Sequence, residues 1–98
     1  MNAREVLRNQ RVFREVNERI AQITLWQEAL DAEFLCECGR DDCASAITLD
    51  VNEYESLRGQ DGFFLLVPGH AVEGVDRVVE SRDGYELVVA VVEEEAAG

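Results

Sequence analysis

Three cysteines fall within eight residues, Cys36, Cys38 and Cys43, and the only histidine, His70, lies further along the chain. Thiolate and imidazole are the common protein ligands of zinc, which takes four of them in a tetrahedron. The spacing C-x-C-x4-C lets one loop wrap a single ion, and Gly39 inside that loop gives the backbone freedom to turn sharply. The fourth ligand has to come from elsewhere. His70 closes the run Val67-Pro68-Gly69-His70, which suits a type II turn with Pro at its second position and Gly at its third. Such a turn would hold His70 at the end of a strand, with Asp41 or Asp42 as the alternative fourth ligand. A Cys3His set leaves no vacant coordination position, so the expected cofactor is a structural Zn2+ and not a catalytic one. Hydrolytic zinc sites draw on two or three histidines, and this chain has one.

Other chemistry open to the same residues fits less well. A redox dithiol with a known mechanism is C-x-x-C at a helix N-terminus, which lowers the thiol pKa. Here C-x-C lies among Glu37, Asp41 and Asp42, whose charge would raise it. Cys43 with His70 could form a nucleophile and base, but no third orienting residue or oxyanion hole is evident. The remaining carboxylates read as a solvated acidic surface, and the glycines are scattered punctuation without a phosphate-binding loop.

These residues must be positioned by a chain of 98 residues, enough for one domain, here 1–98. Hydrophobic residues make up 47% and charged residues 31%, which excludes the disordered class. No apolar run approaches the roughly 18 residues of a membrane span, and MNAREVLRNQ has no signal-peptide core. The expected compartment is the cytoplasm, where reduced thiols point to metal before disulfides. A net charge of −12 argues against nucleic acid as a partner, because phosphate would be repelled. That charge is uneven: residues 1–20 hold five arginines against three glutamates, and the rest hold four arginines against eighteen acids.

The hydrophobic periodicity predicts a long amphipathic helix over residues 1–33, without Gly or Pro from Ala3 to Ala32. Val6, Phe13, Val16, Ile20, Ile23 and Phe34 share one side, with Val12 and Leu30 on its flank. Arg4, Arg8, Arg11 and Arg14 lie opposite. Asn9 and Gln27 interrupt the apolar stripe, either as edge groups or as register-setting groups at a helix–helix contact. A zinc loop comes next over 34–45, then β-α-β-β-β over 46–92. Within it, Ala46–Leu49 is a strand, and Asp50-x-x-Glu53 is a capping box opening a short helix from Val51 to Arg58 that Gly59 ends. Gly62–Val67 is an apolar strand, and Val75–Ser81 with Tyr85–Val92 flank Asp83-Gly84 as a type I′ hairpin. Residues 93–98 form an acidic tail. The expected fold is α+β: a long N-terminal helix packed on a small, mainly antiparallel sheet, with a short second helix and the zinc loop.

The run Phe13-Arg14-Glu15-Val16-Asn17-Glu18-Arg19-Ile20 resembles the F-R-E-V-N-E-R-I opening of a small bacterial protein family. Phe34-x-Cys36-Glu37-Cys38…Cys43 is similar to its F-x-C-E-C…C centre. Glu53-Tyr54-Glu55…Arg58, Pro68-Gly69-His70, Val78-Val79-Glu80 and Tyr85-x-x-Val88-Val89 come in the same order. Asp50 stands where members often carry Thr, an equivalent cap. The resemblance spans nearly the whole chain and implies the same fold and metal site, and it implies no activity.

The function expected from these readings is a non-enzymatic, zinc-stabilised regulatory or adaptor module that binds a protein. A redox-responsive zinc/thiol sensor is the alternative, and a metal-dependent enzyme is the third. A helix of some 30 residues spans roughly 45 Å, more than a small sheet covers. The surface around Arg4, Val6, Leu7, Arg8, Arg11, Phe13 and Arg14 is therefore expected to meet a protein partner or a second copy.

Overall fold

The computed structural model describes residues 2–58 and 62–91. Asn2 opens helix α1, Ala3–Trp26, by accepting the Glu5 N–H at 2.9 Å on its side-chain oxygen. The helix stops short of the expected 33 residues. Glu28 adopts φ 57°, its N–H reaching the Leu25 carbonyl, while the Ala29 N–H reaches that of Thr24. This is a Schellman ending, usually built on glycine. Its left-handed residue is a glutamate here, so the sequence carries no visible stop.

The next element is a strand that the sequence reading placed partly in the helix and partly in the zinc loop. β1, Asp31–Leu35, pairs antiparallel with β2, Ala46–Asp50, aligning Phe34 with Ile47. Helix α2, Val51–Arg58, is capped by Asp50, whose Oδ1 accepts the N–H groups of Asn52 and Glu53. The reciprocal half of the capping box is not made. Glu53 instead accepts the Tyr85 hydroxyl at 2.7 Å, tying α2 to the far sheet. Gly59, the expected helix stop, and the tail 93–98 lie outside the described residues.

The second sheet has the order β3-β5-β4, all antiparallel: β3 is Phe63–Leu66, β4 Asp76–Arg82 and β5 Tyr85–Ala90. The hairpin at Asp83-Gly84 is present, but only Gly84 takes positive φ, so its turn is not type I′. Val79 is the extra residue of a bulge in β4. Alternation along β3 sends Leu65 into one core and Phe64 with Leu66 into another. The first core includes Phe34, Ile47, Tyr54, Tyr85 and Leu87, and the second includes Leu7, Cys36, Cys38 and Val88.

The face that α1 buries is not the one its apolar periodicity indicates. Val6, Leu7 and Ala21 are buried, but so are Gln10, Asn17 and Thr24, seven residues apart on one line of the helix. Of the surface expected to meet a partner, Arg4, Arg8 and Arg11 are exposed, and the remaining residues are placed differently. Val6 and Leu7 belong to the protein's own interior, and Phe13 is half-buried. Arg14 lies with its guanidinium 5.5 Å from the centre of the Phe64 ring, so it covers the sheet instead of facing outward. The helix is 24 residues, roughly 36 Å, and with Val6 and Leu7 buried its N-terminal part is covered by the body and does not project from it.

A left-handed residue with a side chain costs about 1 kcal/mol that glycine avoids, partly offset by glycine's freer unfolded chain. Glu28→Gly is expected to raise unfolding stability by about 0.5 kcal/mol, read from the urea midpoint. A lowered midpoint would show that the glutamate side chain stabilises the turn.

Candidate metal centre

Beyond β1 the chain runs on through Cys36 and Glu37 to a bend at Cys38, and alternation does the sorting. Cys36 and Cys38 face one side, and Glu37 faces the other. The Cys36 N–H donates to Ser45 O, prolonging the β1–β2 ladder, and the Glu37 N–H donates to Leu65 O at 2.8 Å. The metal loop is therefore the seam that joins the two sheets. At Gly39 the backbone takes φ 78°, and a Cβ there would collide with the Val6 carbonyl oxygen and the Gln10 side chain. Glycine is needed for this close approach to α1 as well as for the turn. Asn9 completes the contact, donating to the Gly39 carbonyl at 3.1 Å. That is its role here, and Gln27 serves as the helix C-cap residue.

The Arg40–Cys43 turn brings Cys43 back, its N–H on the Arg40 carbonyl. His70 arrives from the opposite direction. Its N–H donates to Val67 O at 3.0 Å, and Gly69 has φ 85°, which is the expected type II turn. The ligand atoms of Cys36, Cys38, Cys43 and His70 all lie within 4.8 Å of one another, close enough to hold a metal ion. His70 Nδ1 is 3.5 Å from Cys36 Sγ and 3.6 Å from Cys43 Sγ. A tetrahedral zinc ion, with Zn–S near 2.3 Å and Zn–N near 2.05 Å, requires an S···N edge of roughly 3.6 Å. The donor set fits a zinc site. Asp41 and Asp42 are exposed and outside the cluster.

The sulfurs are surrounded by donors suited to thiolate. The Val67 N–H points at Cys36 Sγ from 3.2 Å, the Arg40 N–H serves Cys38, and the Ser45 N–H and hydroxyl serve Cys43. Burial pushes the Cys36 thiol up to about 12, with the neighbouring thiols adding to the rise. Burial also raises Cys38. At Cys43 burial acts in the same sense, but the hydrogen bonds from Ser45 and the other thiols outweigh it and lower this thiol. The acids Glu37, Asp41 and Asp42 are not what raises the pair, contrary to the sequence reading. An ion entering here has to displace protons, so binding strengthens as pH rises.

Glu37 is the residue that the sequence reading missed. It is 1% exposed. Its Oε1 accepts the Leu65 N–H at 2.8 Å, and its Oε2 accepts the Asn17 side-chain amide at 2.7 Å and the Tyr54 hydroxyl at 3.1 Å. Asn17 in turn brackets Leu35, donating to its carbonyl at 2.9 Å and accepting its N–H at 2.8 Å. Burial raises the Glu37 carboxyl above its ordinary range, and Asn17, the Leu65 N–H, Tyr54 and the Arg14 charge pull it back. The one signal for this role was its position between two ligands on an alternating strand.

No family model, curated protein or solved structure matches the chain.

All three partners of Glu37 donate to it, so an amide in its place would set N–H against N–H. Glu37→Gln is expected to cost about 2–4 kcal/mol in denaturant unfolding of the metal-loaded protein. A loss below about 0.5 kcal/mol would show that the group sits in the core as the neutral acid.

Proposed function

We propose that this chain is a zinc-stapled, non-enzymatic protein-interaction domain, its ion purely structural. The observation that carries the reading is the donor set: three sulfurs and one imidazole nitrogen lie within 4.8 Å of one another, the four donors a structural zinc ion takes, which would leave no position for a substrate or water. Two of the sulfurs belong to the hydrophobic core, and the ligands come from both sheets' ends, so the ion's work is to close the seam. A reducing compartment such as the cytoplasm suits three unpaired thiols. Regulatory or adaptor work fits the same reading: with no reacting group at the metal, what remains is surface.

One observation favours a redox-responsive variant of this reading. Cys43 is the half-exposed thiol of the three, whereas Cys36 and Cys38 are buried. Two-electron oxidation by a peroxide would join Cys43 and Cys38 as a disulfide, reduce the peroxide to water or alcohol, and free the ion. Release of metal under mild peroxide, reversed by thiol reductant, would select this variant over an inert staple.

The protein purified without chelator is expected to carry about one zinc per chain, and Cys36→Ser, Cys38→Ser or Cys43→Ser to lose it. His70→Ala should weaken zinc at least roughly tenfold and shift the cobalt-substituted spectrum away from a three-sulfur, one-nitrogen pattern. Azide or cyanide that alters the cobalt bands of the intact protein without removing the ion would reveal an open position. The structural reading would then fail.

A further inference from the structure

Because α1 turns a polar line inward, part of its apolar surface faces out. Val12 is 49% exposed, Val16 39%, Ile23 54% and Trp26 88%. Together they present on the order of 500 Å2 of apolar surface, at the upper end of the largest patch on an ordinary monomer. With the half-buried Phe13 and Ile20 beside them, the stripe comes to roughly 600 Å2, the size of a modest interface set against the roughly 800 Å2 that each partner gives to a standard one. The exposed positions 12, 16, 19, 23 and 26 alternate spacings of four and three, the a/d repeat of a helix-on-helix seam. Such a straight, narrow stripe is matched by another helix and poorly by a globular pocket.

We infer that this stripe pairs with α1 of a second copy, antiparallel, in the register that sets Val12 against Ile23 of the second copy. The inference rests on reading the chain as a protein-interaction domain and names its partner. The charges select the register and the self-pairing. With residue sums near 35 across the two-fold axis, Val16 lies opposite Arg19 of the second copy, which brings that arginine beside Glu15. This pair occurs twice by symmetry, and both residues are exposed in the single chain. On the flank, Phe13 meets Ile20 of the second copy. The strongly acidic remainder of each body is held away from the other, because the helices meet along their outer faces. The outer edge of β4 offers a competing route to association, but its bulge at Val79 disrupts the edge for strand pairing.

The full-length zinc-loaded chain, in sedimentation equilibrium at about 100 μM, is expected to be a dimer that dissociates at high dilution. Ile23→Asp should leave a monomer with unchanged zinc content. Since Ile23 is half exposed, its replacement leaves the core intact. Arg19→Glu should weaken the dimer at least about tenfold, and adding Glu15→Arg to it should restore association, because the pair is exchanged across the axis. A wild-type monomer at 100 μM overturns the inference, and so does a dimer indifferent to both substitutions. A monomer that still binds one zinc in a closed site would sink the self-pairing while leaving the proposed function standing.

Discussion

The Glu37 carboxylate, buried between two metal ligands, is the interaction on which the rest of the structure depends. An unpartnered carboxylate in a protein interior costs several kcal/mol. Here one oxygen accepts a backbone N–H of β3, and the other accepts an amide of α1 and the phenol of α2. One side chain therefore ties three elements to the metal loop. The loop's own alternation then leaves Cys36 and Cys38 on the opposite side, facing Cys43 and His70. Disturbing the carboxylate would disturb the seam between the sheets and the ligand geometry together.

The same requirement explains the unusual inner face of α1. Asn17 has to be inside to bond both Leu35 and Glu37, and Gln10 is inside with its amide on Asp76 Oδ1 at 2.7 Å. Asp76 in turn accepts the Val72 N–H and fixes the loop after His70. Thr24 turns its hydroxyl back to the Ile20 carbonyl. A helix has one inward face, and filling it with groups that hold loops in place moves apolar residues outward. The exposed stripe from Val12 to Trp26 is the geometric consequence of using α1 as a polar brace.

Electrostatics at the donor cluster obey the same constraint of position. A divalent cation held by three thiolates would leave one negative charge, in a protein already strongly acidic. The N–H groups of Val67, Arg40 and Ser45 directed at the sulfurs would spread that charge into the backbone. The exposed acids Asp41 and Asp42 stay in water, where their field on the site is screened.

How much of this was legible before the fold depends on the range of the interactions. The metal ligands could be read because their determinants are local: clustered cysteines, a glycine between them, and a Pro-Gly pair that forces the turn delivering His70. The α+β class, the Asp50 cap and the β4–β5 hairpin are local in the same sense. The end of α1 was not legible, because its left-handed residue is a glutamate held there by the need to start β1. The buried face of α1 was misread for a different reason. Hydrophobic periodicity weighs each residue against water alone, whereas Asn17, Gln10 and Glu37 are buried by partners 18, 66 and 28 positions away. The sequence determined by itself which residues could hold an ion. Only the tertiary structure decided which polar groups could leave water, since that depends on donors and acceptors that meet only once the chain has folded.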